Sequence, residues 1–113
     1  MTTNEVITIK DAKTGVILAS AEEAKGVLLF EGAWYFDQDK VDMTDLVITE
    51  DIYICPYKGT CYWIDLNSPG HSGKHIAFTY FEVEPGYEFV QDKIGFYAGI
   101  REHTVEESAV YAA

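Results

Sequence analysis

The side chains best suited to chemistry crowd one short segment, residues 52–66. Pro56 presets its own φ and Gly59 accepts a positive φ, so residues 56–59 predict a tight turn between two strands. The turn carries Lys58, whose ammonium group would suit an anionic group of a ligand. Aromatic rings close to such a cation can stack on a planar ligand, so we expect the binding site here.

We expect this lysine to share a pocket with side chains from neighbouring strands. Three consecutive aromatic residues at 34–36 cannot occupy one face of a strand, so at least one must point away from the core. The predicted ligand-binding residues are Glu31, Tyr35, Tyr57, Lys58, Trp63 and Tyr80. Each has an ordinary alternative role, because charged groups are usually solvated and buried rings usually belong to a core.

Catalytic residues are not identified by the sequence, and only two candidates stand out. Lys58 could form a Schiff base if burial lowered its pKa. Cys55 could be a reactive thiol if the lysine lowered the pKa of its sulfur, although a small buried side chain is the simpler interpretation. We therefore assign no enzymatic activity.

The two cysteines are expected to be free thiols. With residues 56–59 as the turn, Cys55 lies opposite Thr60 and Cys61 lies opposite Ile54. The two sulfur atoms then sit on opposite faces of the hairpin, which is poor geometry for a disulfide.

Metal ligation is not expected either, and neither is a cofactor. Cys55, Cys61, His71 and His75 could form a Cys₂His₂ set, but the cysteine spacing does not match the Cys-x-x-Cys pairs of structural zinc sites. The aspartates that begin at Asp37 lack the glycine and glutamate that a calcium loop needs at its sixth and twelfth positions.

Composition limits the partners. The chain has 113 residues with 19 acidic and 8 basic side chains, giving a net charge of −11. An acidic surface repels phosphate, so nucleic acid and anionic membranes are not expected as partners. The sequence has no apolar run long enough for a membrane span and no signal-peptide pattern at its beginning, so we expect a cytoplasmic protein with reduced thiols.

Short apolar segments separated by turn residues, without a long helical period, predict one mainly β domain over residues 1–113. We expect short antiparallel strands in a tent-like or barrel-like arrangement, starting with a hairpin at 5–20. Residues 67–74 are predicted to be a loop, and the tail at 101–113 either frays or docks as a strand near Thr104. We expect one or two short helical turns. Residues 20–25 could form one, residues 37–45 form either a solvated loop or a short helical turn, and residues 87–92 form either a helical turn or an extended segment.

Three segments resemble the bacterial domain-of-unknown-function family 427 (DUF427). They are residues 30–36, residues 55–63 with the motif Cys-Pro-Tyr-Lys-Gly-Thr, and residues 86–89 followed by 95–97. The resemblance implies a small β protein similar to the tent-like folds of Mss4 and methionine sulfoxide reductase B. It implies no established activity.

The family is also catalogued under a nucleotidyltransferase label. Such enzymes hold Mg²⁺ with paired carboxylates, usually beside a Gly-Ser phosphate loop, and the three matching segments contain neither. Asp37-Gln38 and Phe78 depart from the residues common in the family, which affects the expected ligand more than the fold.

Residues and resemblance together favour a domain that binds a small planar or anionic ligand beside Lys58. The alternative is a noncatalytic module for protein interaction or self-association, present as a monomer or a homodimer.

Overall fold

The computed structural model describes residues 3–112, and most of them lie in nine β-strands. The strands are β1 (Thr3–Asp11), β2 (Ile17–Glu23), β3 (Gly26–Phe30), β4 (Ala33–Phe36), β5 (Leu46–Cys55), β6 (Gly59–Ser68), β7 (His71–Val83), β8 (Ile94–Tyr97) and β9 (Thr104–Ala112). Two single 3₁₀ turns, Gln38–Lys40 and Glu88–Val90, lie between them. Residues 1, 2 and 113 of the predicted domain lie outside the described residues.

All nine strands join one sheet in the order β5-β6-β7-β8-β4-β3-β2-β1-β9. Neighbours are antiparallel except for β2 and β3, which run parallel over a short stretch at Glu22 and Gly26. Within residues 3–112 the two outer strands of this order, β5 and β9, do not pair with each other. The mainly β prediction is therefore confirmed, but the sheet is not a closed barrel.

The main hydrophobic core lies on one face of this sheet. Its buried side chains come from strands far apart in the sheet order, such as Ile9 of β1 and Ile64 of β6. Strands so distant in a flat sheet could not touch, so the sheet must fold over and pack against itself. Trp34 and Phe36 of β4 point into this core.

A second, smaller cluster occupies the opposite face of β4, β6 and β7, together with Val90 of the second 3₁₀ turn. Tyr35 lies between Trp34 and Phe36 in sequence and points to this second face, as strand alternation requires. Its buried members are Ala33, Tyr35, Cys61, Phe78, Tyr80 and Val90. The aromatic triplet thus contributes two rings to the main core and one ring to the face that carries the candidate site.

A chain of polar side chains ties three distant segments together. Asp11, at the end of β1, is 1% exposed, and its Oδ1 accepts a hydrogen bond from His71 Nδ1 at 2.7 Å and from the backbone N–H of Lys13 at 2.8 Å. His71 Nε2 lies 2.9 Å from His103 Nδ1. With neutral rings, His103 donates and His71 accepts. These contacts join the start of β7 to the end of β1 and to the segment just before β9.

Three local predictions differ from the structure. The helical turn expected at 20–25 is wrong, because β2 continues through Ser20 to Glu23 and pairs with β1. The loop expected at 67–74 is also wrong, because β6 and β7 extend until only Pro69-Gly70 separates them. The tail docks rather than frays over Thr104–Ala112, where β9 pairs with β1.

Within residues 3–112, no helix has the length and hydrophobicity to cross a membrane.

The buried Asp11 carboxylate should be a major stabilising group. Burial alone would raise its pKa, but the hydrogen bonds from Lys13, His71 and Thr14 outweigh burial and hold the pKa below the ordinary 3.8. Replacing Asp11 with Ala leaves these donors unsatisfied, so we expect urea denaturation to show a loss of about 2–4 kcal/mol in the free energy of unfolding.

The matched control is Asp39→Ala, because Asp39 is exposed and lies in the first 3₁₀ turn. The control should unfold like the wild type. The pKa of Asp11 is lowered in the folded protein. The ionised carboxylate therefore stabilises the fold fully above pH 3.8, and this stabilisation is lost as the pH falls through the pKa of Asp11 in the folded protein. Equal stability of Asp11→Ala and the wild type at pH 7 would contradict the assignment.

Candidate functional site

A cavity of about 300 Å³ opens on the face of the sheet that carries the second cluster. Four tyrosines line it, together with one lysine, one glutamate and one buried thiol. The lining residues are Glu31, Ala33, Tyr35, Tyr53, Lys58, Cys61, Trp63, Phe78, Tyr80 and Tyr97. They come from five strands and from two turns, so the cavity exists only in the folded sheet.

The turn that presents Lys58 is one residue shorter than predicted. Gly59 already belongs to β6 and pairs with Cys55, so Ile54 faces Thr60 and Tyr53 faces Cys61. The predicted register, with Cys61 opposite Ile54, is therefore wrong.

Gly59 is required at the end of this turn. Its φ is +124°, and a Cβ there would lie 2.4 Å from the carbonyl oxygen of Glu82 on β7. The backbone N–H of Glu84 also donates to the Lys58 carbonyl at 2.9 Å. These contacts hold the turn against β7 and orient Lys58 back over the sheet.

The Lys58 ammonium group lies at the cavity rather than in bulk water. Its side chain is 14% exposed, and Nζ is 2.9 Å from Oε1 of Glu31. Nζ also lies 5.5 Å from the ring centre of Tyr80 and 5.8 Å from that of Phe30, within the range of cation–π attraction. The predicted association of this lysine with aromatic rings is thus present.

The protonation states follow from burial and from this ion pair. Burial would lower the pKa of Lys58, but the hydrogen bond and charge of Glu31, together with the electrostatic effects of Tyr35 and Cys55, outweigh burial and raise the pKa above 10.5. Burial raises the pKa of Tyr35, Tyr80 and Tyr97. At neutral pH the cavity therefore presents one ammonium group among neutral phenols, and a protonated amine is not a nucleophile for Schiff-base chemistry.

Neither cysteine forms a disulfide. Cys61 is 2% exposed, and burial raises the pKa of its thiol to about 11. Cys55 is half-buried in the turn, where its sulfur accepts the backbone N–H of Lys58 at 3.4 Å. Cys55 therefore has a structural contact within the turn, and it is not among the residues that line the cavity.

Most of the predicted binding residues meet at this cavity. Trp63 lines it and stacks on His75 with ring centres 4.9 Å apart. Tyr57 is the exception, because it is 71% exposed at the tip of the turn and does not line the cavity. Glu31, Tyr35, Lys58 and Tyr80 all contribute to the lining.

Sequence reasoning missed Tyr53 and Tyr97 as cavity residues, and it did not include Phe78 among the binding residues. A signal for Phe78 did exist in Gly95, which pairs with it across β7 and β8. A Cβ at Gly95 would lie 2.3 Å from the Phe78 ring, so this glycine makes room for the ring. Tyr97, two residues further along β8, shares the same face.

The histidines and cysteines considered for zinc do not assemble. His71 bonds Asp11 and His103, whereas His75 lies on Trp63 and 3.2 Å from Asp51. Among the described residues, no three His, Cys, Asp or Glu side chains are grouped to hold a metal ion.

The thiols should differ in reactivity. Because Cys61 is buried and mostly protonated, we expect iodoacetamide to modify Cys55 at least about tenfold faster than Cys61 at pH 8. Peptide mass spectrometry of the native protein at timed intervals measures both rates. In denaturant the two rates should converge, and faster native labelling of Cys61 would contradict this geometry.

Residues 3–108, nearly the whole chain, match the model of a protein family described as a domain of unknown function, DUF427. The resemblance expected from the three sequence segments is confirmed. No curated protein matches the sequence. The family description names no reaction, ligand or partner, so a function must be argued from the cavity.

Proposed function

The chain belongs to the DUF427 family, and we propose that it binds a small planar or anionic ligand in the aromatic cavity beside Lys58. The observation that carries this proposal is the position of the Lys58 ammonium group, which is 14% exposed at the cavity wall. A turn lysine whose ammonium group stays in water loses no hydration free energy when the protein folds. Holding the charge beside aromatic rings does lose hydration and requires partners such as Glu31 and the ring of Tyr80, which is typical of a binding group.

The size and lining of the cavity suit a small planar molecule. Its volume of about 300 Å³ lies at the lower end of the range for ligand pockets, about 300–1,000 Å³. Trp63, Phe78 and Tyr80 offer ring surfaces for stacking, and the neutral tyrosine hydroxyls can donate or accept hydrogen bonds. The lining is thus mostly aromatic with a few polar groups, as in many small-molecule sites.

Glu31 is the partner of the Lys58 ammonium group when no ligand is bound. It stands in the turn between β3 and β4, and its side chain is 57% exposed. An anionic ligand would replace this carboxylate as the partner of Lys58, while Glu31 could turn into solvent at little cost. We therefore infer that Glu31 covers the ammonium group in the free protein.

Binding should depend on the charge of Lys58. A thermal-shift screen of nucleotides and small aromatic acids, followed by calorimetric titration, should find wild-type ligands whose affinity falls at least about tenfold in Lys58→Met. Methionine keeps most of the apolar stem, so folding should be little affected.

Lys13→Met is the matched control, because Lys13 is exposed on the turn between β1 and β2 and carries the same charge. This variant should bind like the wild type. If no aromatic acid or nucleotide binds the wild type, or if Lys58→Met binds equally well, the proposed function is wrong.

One observation favours self-association as a second candidate function. Strand β5 forms an edge of the sheet, and its side chains include a row of exposed apolar residues: Val47, Ile48, Ile52, Tyr53 and Ile54. An open, apolar edge strand can pair with a second copy of itself. Light scattering at increasing protein concentration tests this candidate, and a monomer at all concentrations would exclude it.

A further inference from the structure

Arg101 is the only arginine in the sequence, and the structure holds it against the rim of the cavity. It lies between β8 and β9, and its guanidinium carbon is 5.4 Å from the ring centre of Tyr97. Its Nε donates to the carbonyl oxygen of Ala98 at 3.0 Å. One ring and one hydrogen bond from Nε therefore hold the guanidinium group, and neither contact uses its terminal N–H groups.

Among the residues that the structure describes, this guanidinium group has no carboxylate partner. Although the chain carries 19 acidic residues, no described carboxylate forms an ion pair with Arg101. The adjacent Glu102 is exposed and lies 3.6 Å from His103 Nε2 instead. An unpaired arginine in so acidic a protein is available to bind an anion from solution.

Tyr97 connects Arg101 to the Lys58 cavity. Its ring lines that cavity and also lines an adjoining groove of about 250 Å³ that contains Arg101 and Lys74. His75, which stacks on Trp63 of the cavity, lines the same groove. Cavity and groove therefore meet at the Tyr97 ring and at the stacked rings of Trp63 and His75.

We propose that Arg101 binds a carboxylate or phosphate at one end of a ligand whose planar part occupies the Lys58 cavity. This inference rests on the proposed function and narrows it to elongated aromatic acids. Lys74, in the same groove, supplies a second positive charge near the acid group. Glu102 also lines the groove, where its carboxylate lies 3.6 Å from His103 Nε2.

Arginine suits this role for a specific reason. Its planar fork of N–H groups matches the two oxygens of a carboxylate or phosphate, which a lysine ammonium group cannot do. In a protein of net charge −11, an anion is repelled by most of the surface and needs such a local cation. The stacking on Tyr97 preorganises the fork before the ligand arrives.

Matched pairs of small molecules test the inference. Each pair shares one ring system and differs in the acid group: indole-3-propionate with indole-3-propanol, and phenyl phosphate with phenol. In the wild type, calorimetric titration should show the acid of at least one pair binding about tenfold more tightly than its neutral partner. In Arg101→Gln this preference should fall to about twofold or less, while the neutral partner binds as before.

Three controls separate the possible causes. Lys13→Gln removes the same charge from a distant turn and should keep the preference. Arg101→Lys keeps the charge without the fork and should retain only part of it. Raising the salt concentration should weaken the acids but not the neutral partners.

The outcomes distinguish the two proposals. If ring compounds bind and lose affinity in Lys58→Met, yet Arg101→Gln keeps the full acid preference, then the role of Arg101 is wrong and the cavity remains a binding site. If none of the compounds binds the wild type, both proposals fail. A preference lost equally in Lys13→Gln would show a general charge effect and would also overturn the role of Arg101.

Discussion

The ion pair between Lys58 and Glu31 is the interaction on which the candidate site depends. Moving an ammonium group out of water is unfavourable, and burial alone would lower its pKa. The carboxylate at 2.9 Å opposes that effect, together with Tyr35 and Cys55, and the lysine stays charged among aromatic rings. Without the carboxylate, burial would meet less opposition and the pKa of Lys58 would be lower.

Two backbone turns position the side chains of this ion pair. Gly59 allows β7 to approach the turn that carries Lys58, and the turn between β3 and β4 carries Glu31 at a φ of +51°. The face on which they meet is set by strand alternation, because Trp34 and Phe36 fill the main core while Tyr35 points to the cavity. Core and site are therefore two faces of the same strands.

Patterns among neighbouring residues predicted the features of the fold that depend on neighbouring residues. The turn at Pro56 and the strands around it could be predicted, because they depend on neighbouring residues. Lys58 is also expected among aromatic rings, but the rings of Phe30 and Tyr80 reach it from other strands and are brought there by the fold. The register could not be predicted, since Gly59 joins β6 only because β7 packs against it. Likewise, Arg101 and the hydrogen-bonded chain through Asp11 depend on contacts between residues distant in sequence, for which one chain offers no signal.

The most direct test of the central claim is an NMR titration of Lys58 with ¹³C-labelled lysine, assigned by its absence in Lys58→Met. In the wild type the pKa of Lys58 should lie above the ordinary 10.5. In Glu31→Gln it should decrease, because the carboxylate that opposes the effect of burial on this pKa is gone. A pKa equal to that of the exposed lysines, and unchanged in Glu31→Gln, would contradict the account.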